Sequence, residues 1–148
     1  MAIEGSASEV INAPIDEVYA IAADVENSPK WQPEIKEAEV LKRDSDGNQV
    51  LVRTAADAKV KTMSAELEFS YDEPNGLSWK QVKGDAKSLV GSWQLEDLGD
   101  GTTKATYSMK VDLGRTLGLV IRGPVVDVLR GQLVDSMPGK LKRFVEGG

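Results

Sequence analysis

Between residues 36 and 113 the sequence alternates apolar and polar residues in six short segments, each followed by a turn. The segments cover about residues 36–43, 49–56, 59–71, 76–83, 87–97 and 102–113. Their separators are rich in Gly, Asn, Asp and Pro, which favour tight turns, and the weakest boundary lies near residues 57–59. Because connections this short join antiparallel neighbours, the pattern predicts an antiparallel meander and argues against a parallel α/β sheet.

Two of these segments indicate a sheet with one apolar face and one solvated face. The apolar face of the third segment carries Met63, Ala65, Leu67, Phe69 and Tyr71. In the last segment the apolar face carries Ala105, Tyr107, Met109, Val111 and Leu113. A sheet of this kind needs a cover on its apolar side.

The cover is predicted to be a long helix over about residues 117–146. Six of its residues share one stripe of about 100° on a helical wheel: Ile121, Val125, Val128, Leu129, Gln132 and Ser136. Beyond Pro138, the apolar Leu141, Phe144 and Val145 point to another side, so a proline kink is expected to bring both stripes onto the sheet. We interpret Lys140, Lys142 and Arg143 as cations near the helix C-terminus.

The first 35 residues add a strand and two helices. The strand is predicted at about residues 3–11 and the first helix at about 14–23, with Pro14 in its first turn. Ser28-Pro29 is expected to open a very short second helix that ends by Pro33. The fold class is therefore α+β, with element order β-α-α-β6-α and seven antiparallel strands. Without internal repeats or a linker, residues 1–148 are assigned to a single domain.

Composition restricts the chemistry of the chain. It has no Cys and no His, which excludes disulfides, a Ser-His-Asp hydrolase and a zinc site built on these ligands. A carboxylate-bound Mg or Ca site stays open, but the acidic residues lack EF-hand spacing, and we expect no metal or other cofactor. A net charge of -6 without a concentrated basic patch argues against nucleic-acid binding. Neither a secretory leader nor a bilayer-length apolar run is visible, so a cytoplasmic protein is expected.

Short motifs over nearly the whole chain resemble those of one family. They are Asn12-Ala13-Pro14, Asp24-Val25, Trp31-Gln32-Pro33, Tyr71-Asp72-Glu73-Pro74, Leu77-Ser78-Trp79, Gly91-Ser92-Trp93-Gln94-Leu95 and Gly99-Asp100-Gly101. The chain thereby resembles the START-like (SRPBCC, helix-grip) superfamily, and within it the polyketide cyclase/dehydrase and coenzyme-Q-binding branch. This resemblance implies a curved seven-stranded sheet wrapped round the C-terminal helix. It also implies a mostly apolar cavity between the two, entered near the short helices and loops.

The same resemblance suggests which residues meet a ligand. Trp31 and Ile35 lie where the entrance loop would be, and the sheet would contribute Leu67, Phe69, Trp79, Trp93, Tyr107 and Met109. Gln132 and Ser136 are the uncharged polar residues on the helix stripe before the expected kink. They could bond a ligand, a cavity water or each other. Core packing is the alternative interpretation, above all for Leu67 and Met109.

Three functions remain open. The first is binding or carriage of a hydrophobic small molecule such as a lipid, a quinone or a polyketide-like compound. The second is a polyketide cyclase or dehydratase that uses Arg53, Tyr107 and water. The cyclases that the chain resembles use a pocket Tyr, a pocket Arg and an Asn on the last helix. This sequence has Ile35 in place of the Tyr, Leu67 or Phe69 in place of the Arg, and Ser136 near the position of the Asn.

Without His, no remaining group is suited to proton transfer near pH 7, which favours binding without chemistry. The third function is a protein-partner adaptor of the ribosome-associating type, which the acidic balance disfavours. A transient membrane contact and the oligomeric state stay open.

Overall fold

The computed structural model describes residues 2–59 and 61–147, and seven antiparallel strands form one sheet in it. Strand order is β1-β7-β6-β5-β4-β3-β2, so β2 to β7 form the predicted meander and β1 adds to β7. The strands are β1 (Ala2–Ile11), β2 (Ile35–Arg43), β3 (Gln49–Asp57), β4 (Thr62–Asp72), β5 (Gly76–Gly84), β6 (Ser88–Asp97) and β7 (Thr103–Asp112). The α+β helix-grip prediction is confirmed. β4 starts later than predicted, and residue 60 of the predicted strand lies outside the described residues.

Helical elements lie before β2 and after β7. They are α1 (Ile15–Ala23), a 3-10 helix (Val25–Lys30), α2 (Gly114–Gly118), α3 (Pro124–Arg130), a π-helical turn (Gly131–Asp135) and α4 (Met137–Gly147). The 3-10 helix begins before the predicted Ser28-Pro29 start, so Pro29 lies inside it. None of the helices in residues 2–59 and 61–147 combines the length and apolar character that crossing a membrane requires.

The π-helical turn aligns the two apolar stripes of the C-terminal segment. Its defining bond runs from the Ser136 N–H to the Gly131 carbonyl at 2.9 Å. One extra residue in this turn rotates the following helix by about 100°. The buried face therefore continues through Leu129, Val134, Met137, Pro138, Leu141 and Val145.

The π-helical turn therefore re-aims the helix, and the prediction of a proline kink at Pro138 is wrong. Pro138 is the second residue of α4, a position where its missing N–H costs little. Two residues of the predicted stripes also lie on the outside: Val128 is 49% exposed and Phe144 is 38% exposed. Each lies at the edge of its predicted stripe within a regular α-helical segment, Val128 in α3 and Phe144 in α4.

Two apolar clusters cover the inner face of the sheet. The larger cluster includes α1 and α4 and contains the aromatic residues Trp31, Phe69, Trp93 and Tyr107. The smaller cluster consists of Ile3, Ala58, Ala86, Val111, Leu113, Leu117, Ile121 and Leu129. Leu89 and Met109 pack against both clusters.

Candidate ligand-binding cavity

A cavity lies between the inner face of the sheet and the C-terminal helical segment. A volume of about 140 Å³ is open there to the centre of a water-sized sphere. A single water-sized sphere occupies roughly 10–15 Å³, so the cavity has room for several such groups. All seven strands contribute to its wall, together with α1, the 3-10 helix and the C-terminal segment.

Seven of the predicted site residues lie in this wall: Ile35, Leu67, Phe69, Trp79, Trp93, Tyr107 and Met109. Strand alternation explains their common direction, since side chains two positions apart share a face. Register brings them together across strands, because Phe69 pairs with Trp79 and Trp93 pairs with Tyr107. Their contact with a ligand stays a prediction.

Six of the eight aromatic residues form a continuous series of ring contacts, which we call the aromatic chain. Successive ring centroids are separated by 6.2, 5.5, 5.7, 4.8 and 6.2 Å, in the order Tyr71, Phe69, Trp79, Tyr107, Trp93 and Trp31. Separations of this size are typical of favourable aromatic pairs. The aromatic chain crosses β4, β5, β6 and β7 and gives the cavity a wall of ring surfaces.

Gly91 allows the aromatic chain to pass over β6. This residue is the cross-strand partner of Trp79, and a Cβ built on it would overlap the Trp79 indole ring. Without that Cβ, the indole covers the Gly91 backbone and contacts Tyr107 of β7. Glycine inside a strand often marks such a close approach.

The wall of the cavity is uncharged. Among the described residues that line it there is no Asp, Glu, Lys or Arg. Tyr107 supplies one polar group: its hydroxyl donates to Met109 Sδ at 3.5 Å, and burial raises its pKa above the ordinary tyrosine value. Because burying an unpaired charge is costly, this wall favours a neutral, largely apolar molecule.

Gln132 and Ser136 do not lie in the cavity wall. Ser136 Oγ donates to the Gln132 carbonyl at 2.9 Å, so the two residues bond each other across one turn. The π-helical turn accounts for the displacement, since it directs Leu133 and Met137 towards the cavity instead. The expected ligand contact of Gln132 and Ser136 therefore lacks support from their placement.

Lys140 forms an ion pair, whereas the sequence predicted a cation near the helix C-terminus. Its Nζ lies 2.9 Å from Glu34 Oε2 and donates to the Gln132 carbonyl at 2.8 Å. Both charged side chains are largely buried. This ion pair ties α4 to the loop that precedes β2.

Trp31 and Arg53 also lie outside the wall. Trp31 is buried, and its ring packs against Trp93. Arg53 lies on the outer face of β3, with Nη1 3.0 Å from Glu39 Oε1, while its neighbour Thr54 lines the cavity. The structure therefore does not bring Arg53 and Tyr107 together, as a catalytic pair would require.

Gln81 is a polar residue of the wall that was not among the predicted site residues. Its Nε2 donates to the Ala86 carbonyl at 2.8 Å, while its Oε1 is buried without a hydrogen-bond partner in the described structure. The signal was present, because Gln81 follows the inward-facing Leu77 and Trp79 at the two-residue period of a strand.

Comparisons with known proteins agree with this architecture. The model of the family described as polyketide cyclase / dehydrase and lipid transport matches residues 11–137. A START superfamily protein from Mycobacterium smegmatis has a similar structure, with a TM-score of 0.83, 22% identity and 97% of each chain covered. A protein from Thermus thermophilus has a TM-score of 0.81, with 23% identity and 97% of each chain covered.

The Zhui aromatase/cyclase from a Streptomyces species is a more distant structural relative. Its TM-score is 0.68 at 17% identity, over 99% of this chain and 84% of the other. At these identities the structural likeness concerns the fold alone. No curated protein matches the sequence significantly. Since the family model spans most of the sequence, the chain belongs to the polyketide cyclase/dehydrase and lipid transport family.

Proposed function

We propose that the protein binds and carries a neutral, hydrophobic small molecule in the cavity between the sheet and the C-terminal segment. The observation that carries this proposal is an uncharged wall faced by aromatic rings. Burying about 300 Å² of apolar ligand surface would contribute about 7 kcal/mol. The cost of association reduces this figure, so we expect micromolar or weaker affinity for a compact ligand.

The dimensions of the cavity favour a compact ligand over a long chain. A cavity volume of about 140 Å³ suits a molecule of one or two rings. Of the three ligand classes that the sequence suggests, a polyketide-like aromatic fits this size better than a long lipid or a long-tailed quinone. The family description and the aromatase/cyclase relative support the same class.

A cyclase or dehydratase activity is the second candidate, because the family description names it. Such a reaction needs a group that transfers protons. The described cavity wall offers the Tyr107 hydroxyl, whose raised pKa makes it a poor base near pH 7, and it contains no carboxylate, ammonium or guanidinium group. The geometry therefore supports binding better than catalysis. The adaptor function, the transient membrane contact and the cytoplasmic location stay predictions.

Two neighbouring substitutions test the proposal. Ala56 lies in the cavity wall, whereas Ala55 is the adjacent residue of β3 and points to the other face. We expect calorimetric titration to detect binding of 2-methoxynaphthalene to the wild type and to Ala55→Phe, but not to Ala56→Phe, whose ring fills the cavity. If the wild type does not bind this compound, or if Ala56→Phe binds it as tightly as the wild type, the proposal is wrong.

A further inference from the structure

We propose that one end of the molecule docks on an anionic phospholipid bilayer, with Leu119 and Val120 inserted among the lipids and nearby Lys and Arg side chains on the headgroups. Three segments form this end, which we call the basic end. They are the β3–β4 connection (residues 57–59 and 61), the β5–β6 connection (residues 83–87) and the segment after β7 (residues 112–123). The inference goes beyond the proposed function and does not depend on it.

The fold brings the three segments of the basic end together around one apolar cluster. Ala58, Ala86 and Leu117, one from each segment, are buried in the smaller cluster. The Lys87 N–H donates to the Asp112 carbonyl at 2.8 Å, which joins the second segment to the third. Charges that are scattered along the sequence therefore lie at one end of the folded protein.

The charge of the basic end is opposite to that of the rest of the protein. It carries six cations and three aspartates, a net charge of +3, whereas the whole chain has -6 and the remainder therefore -9. The six cations are exposed, and none of them forms an ion pair in the described structure: Lys59, Lys61, Lys83, Lys87, Arg115 and Arg122. Because salt screens charges beyond roughly 8 Å, the distant acidic residues oppose docking only weakly.

Two consecutive apolar side chains are exposed at the basic end. Leu119 is 62% exposed and Val120 is 53% exposed. Their N–H groups donate to the carbonyls of Thr116 at 3.3 Å and Leu117 at 3.1 Å, so the backbone forms a bonded turn. Leu117 and Ile121 anchor this turn, because both are buried. The exposed pair is therefore held at the surface by its buried neighbours.

This combination fits a bilayer better than it fits a nucleic acid or an acidic protein. Aliphatic side chains gain from insertion at the boundary between headgroups and acyl chains, and cations are attracted to anionic lipids. A nucleic acid would attract the cations but offer no apolar contact to Leu119 and Val120. An acidic protein would need an apolar pocket matched to this pair, whereas a bilayer accepts it without one.

Docking would place part of the cavity wall at the bilayer surface. Ala58, Leu113 and Ile121 of the basic end line the cavity. A hydrophobic ligand would then exchange with the bilayer over a short distance, with little exposure to water.

Co-sedimentation with lipid vesicles tests the proposal. We expect the wild type to bind phosphatidylcholine vesicles that contain about 30% phosphatidylserine at least about tenfold more tightly than vesicles of phosphatidylcholine alone. Raising the salt concentration from about 0.1 M to about 0.5 M should remove most of this preference.

The apolar contribution is tested by a double variant. Leu119→Ser combined with Val120→Ser should weaken binding to the phosphatidylserine vesicles at least about tenfold, because both changes remove apolar area that insertion would bury. Val10→Ser combined with Leu98→Ser is the matched control, since these residues are also exposed but lie at the opposite end of the sheet. We expect the control to change binding by less than about twofold.

A second double variant tests the charges. Arg115→Gln combined with Arg122→Gln should weaken binding about tenfold or more, because each cation near an anionic surface contributes about fivefold. Lys42→Gln combined with Lys104→Gln removes the same charge from exposed residues at the opposite end of the sheet and should have a smaller effect, about twofold or less. Urea unfolding checks that all four double variants are folded.

The proposal is supported if both basic-end variants weaken vesicle binding and both controls retain it. It is overturned if the wild type shows no preference for phosphatidylserine, or if the controls lose as much binding as the basic-end variants. A loss confined to one of the two basic-end variants also overturns it, because the proposal requires both insertion and charge attraction. None of these results changes the proposed ligand binding, which is measured without vesicles.

Discussion

The two ends of the C-terminal helical segment are attached to the sheet in different ways. α4 combines buried apolar residues with polar bonds to distant parts of the chain: the Asn12 N–H donates to Glu146 Oε2 at 3.0 Å, and Lys142 Nζ donates to the Val10 carbonyl at 2.7 Å. By contrast, α2 and α3 reach the core through aliphatic residues, and their ion pair between Arg130 and Asp127 stays within α3. Val128 of α3 is exposed, as are Leu119 and Val120 between α2 and α3.

This difference suggests which end opens. Both ends border the cavity, through Met137 of α4 and through Ile121 and Leu129 around α3. Opening the α4 end would break the Lys140–Glu34 pair as well as apolar contacts. Among the described residues, the α2–α3 end is held by apolar contacts and by local bonds such as that from the Gly114 N–H to Asp112 Oδ1 at 3.0 Å. Elements with few anchoring interactions open first in native proteins. We therefore expect ligand exchange through the α2–α3 end.

The largest expected effect is on stability. Leu141 of α4 is fully buried, while Leu119 after α2 is 62% exposed. We expect Leu141→Ala to lower the free energy of unfolding by about 2–5 kcal/mol, because it leaves a cavity in the core. The matched change Leu119→Ala should cost about 0.5 kcal/mol or less. Urea unfolding followed by circular dichroism measures both, and equal losses would contradict the placement of Leu141 in the core and of Leu119 on the surface.

The second prediction concerns the ion pair of α4. Glu34→Gln weakens a largely buried pair with Lys140 and leaves its ammonium group without a counter-charge. A loss of about 1–3 kcal/mol is expected. Glu39→Gln is the control, because its pair with Arg53 is exposed and should contribute about 0–1 kcal/mol. If the two variants are equally stable, the pair does not anchor α4.

Hydrogen exchange compares the two ends without a mutation. Amides of α4 should exchange at least about tenfold more slowly than those of α3, since roughly 1.4 kcal/mol more is needed to open the anchored end. Mass spectrometry of peptides covering Pro124–Arg130 and Met137–Gly147 provides the rates. Faster exchange in α4 would reverse the proposed order of opening.

The smallest expected effect is that of pH on binding. The described wall contains no acidic or basic side chain, and burial raises the pKa of Tyr107 further above the neutral range. Because folding raises this pKa, the folded protein keeps the Tyr107 hydroxyl protonated to a higher pH than the unfolded chain does. The affinity for a neutral ligand should therefore vary less than about twofold between pH 5 and 9. A titrating step in this range would reveal a charged group in the site.

Local signals made most of the fold predictable. Turn residues and two-residue alternation gave the strands, and the resemblance placed Leu67, Phe69, Trp79, Trp93, Tyr107 and Met109 towards the interior. Each of those features depends on neighbouring residues or on a motif that can be read directly. The same alternation would have included Gln81 if it had been followed to the end of β5.

The C-terminal segment was less predictable because one extra residue in the π-helical turn rotates every helical residue that follows it. A helical wheel with 3.6 residues per turn placed Gln132 and Ser136 on the inner face. In the structure the π-helical turn directs Leu133 and Met137 there instead. Such a turn depends on packing against the sheet, and a periodic sequence pattern contains no information about that packing. The direction of the Arg53 side chain was also hard to predict, because it depends on the register of β3 against β4.

The central claim is that the cavity selects a neutral molecule, and one pair of ligands tests it most directly. 2-Methoxynaphthalene and 2-naphthoate share the same rings, but 2-naphthoate carries a charge at pH 7. Calorimetric titration of the wild type should give at least about tenfold tighter binding of the neutral compound, because the described residues of the wall include no cation to pair with a buried carboxylate. Equal or tighter binding of 2-naphthoate would contradict the account.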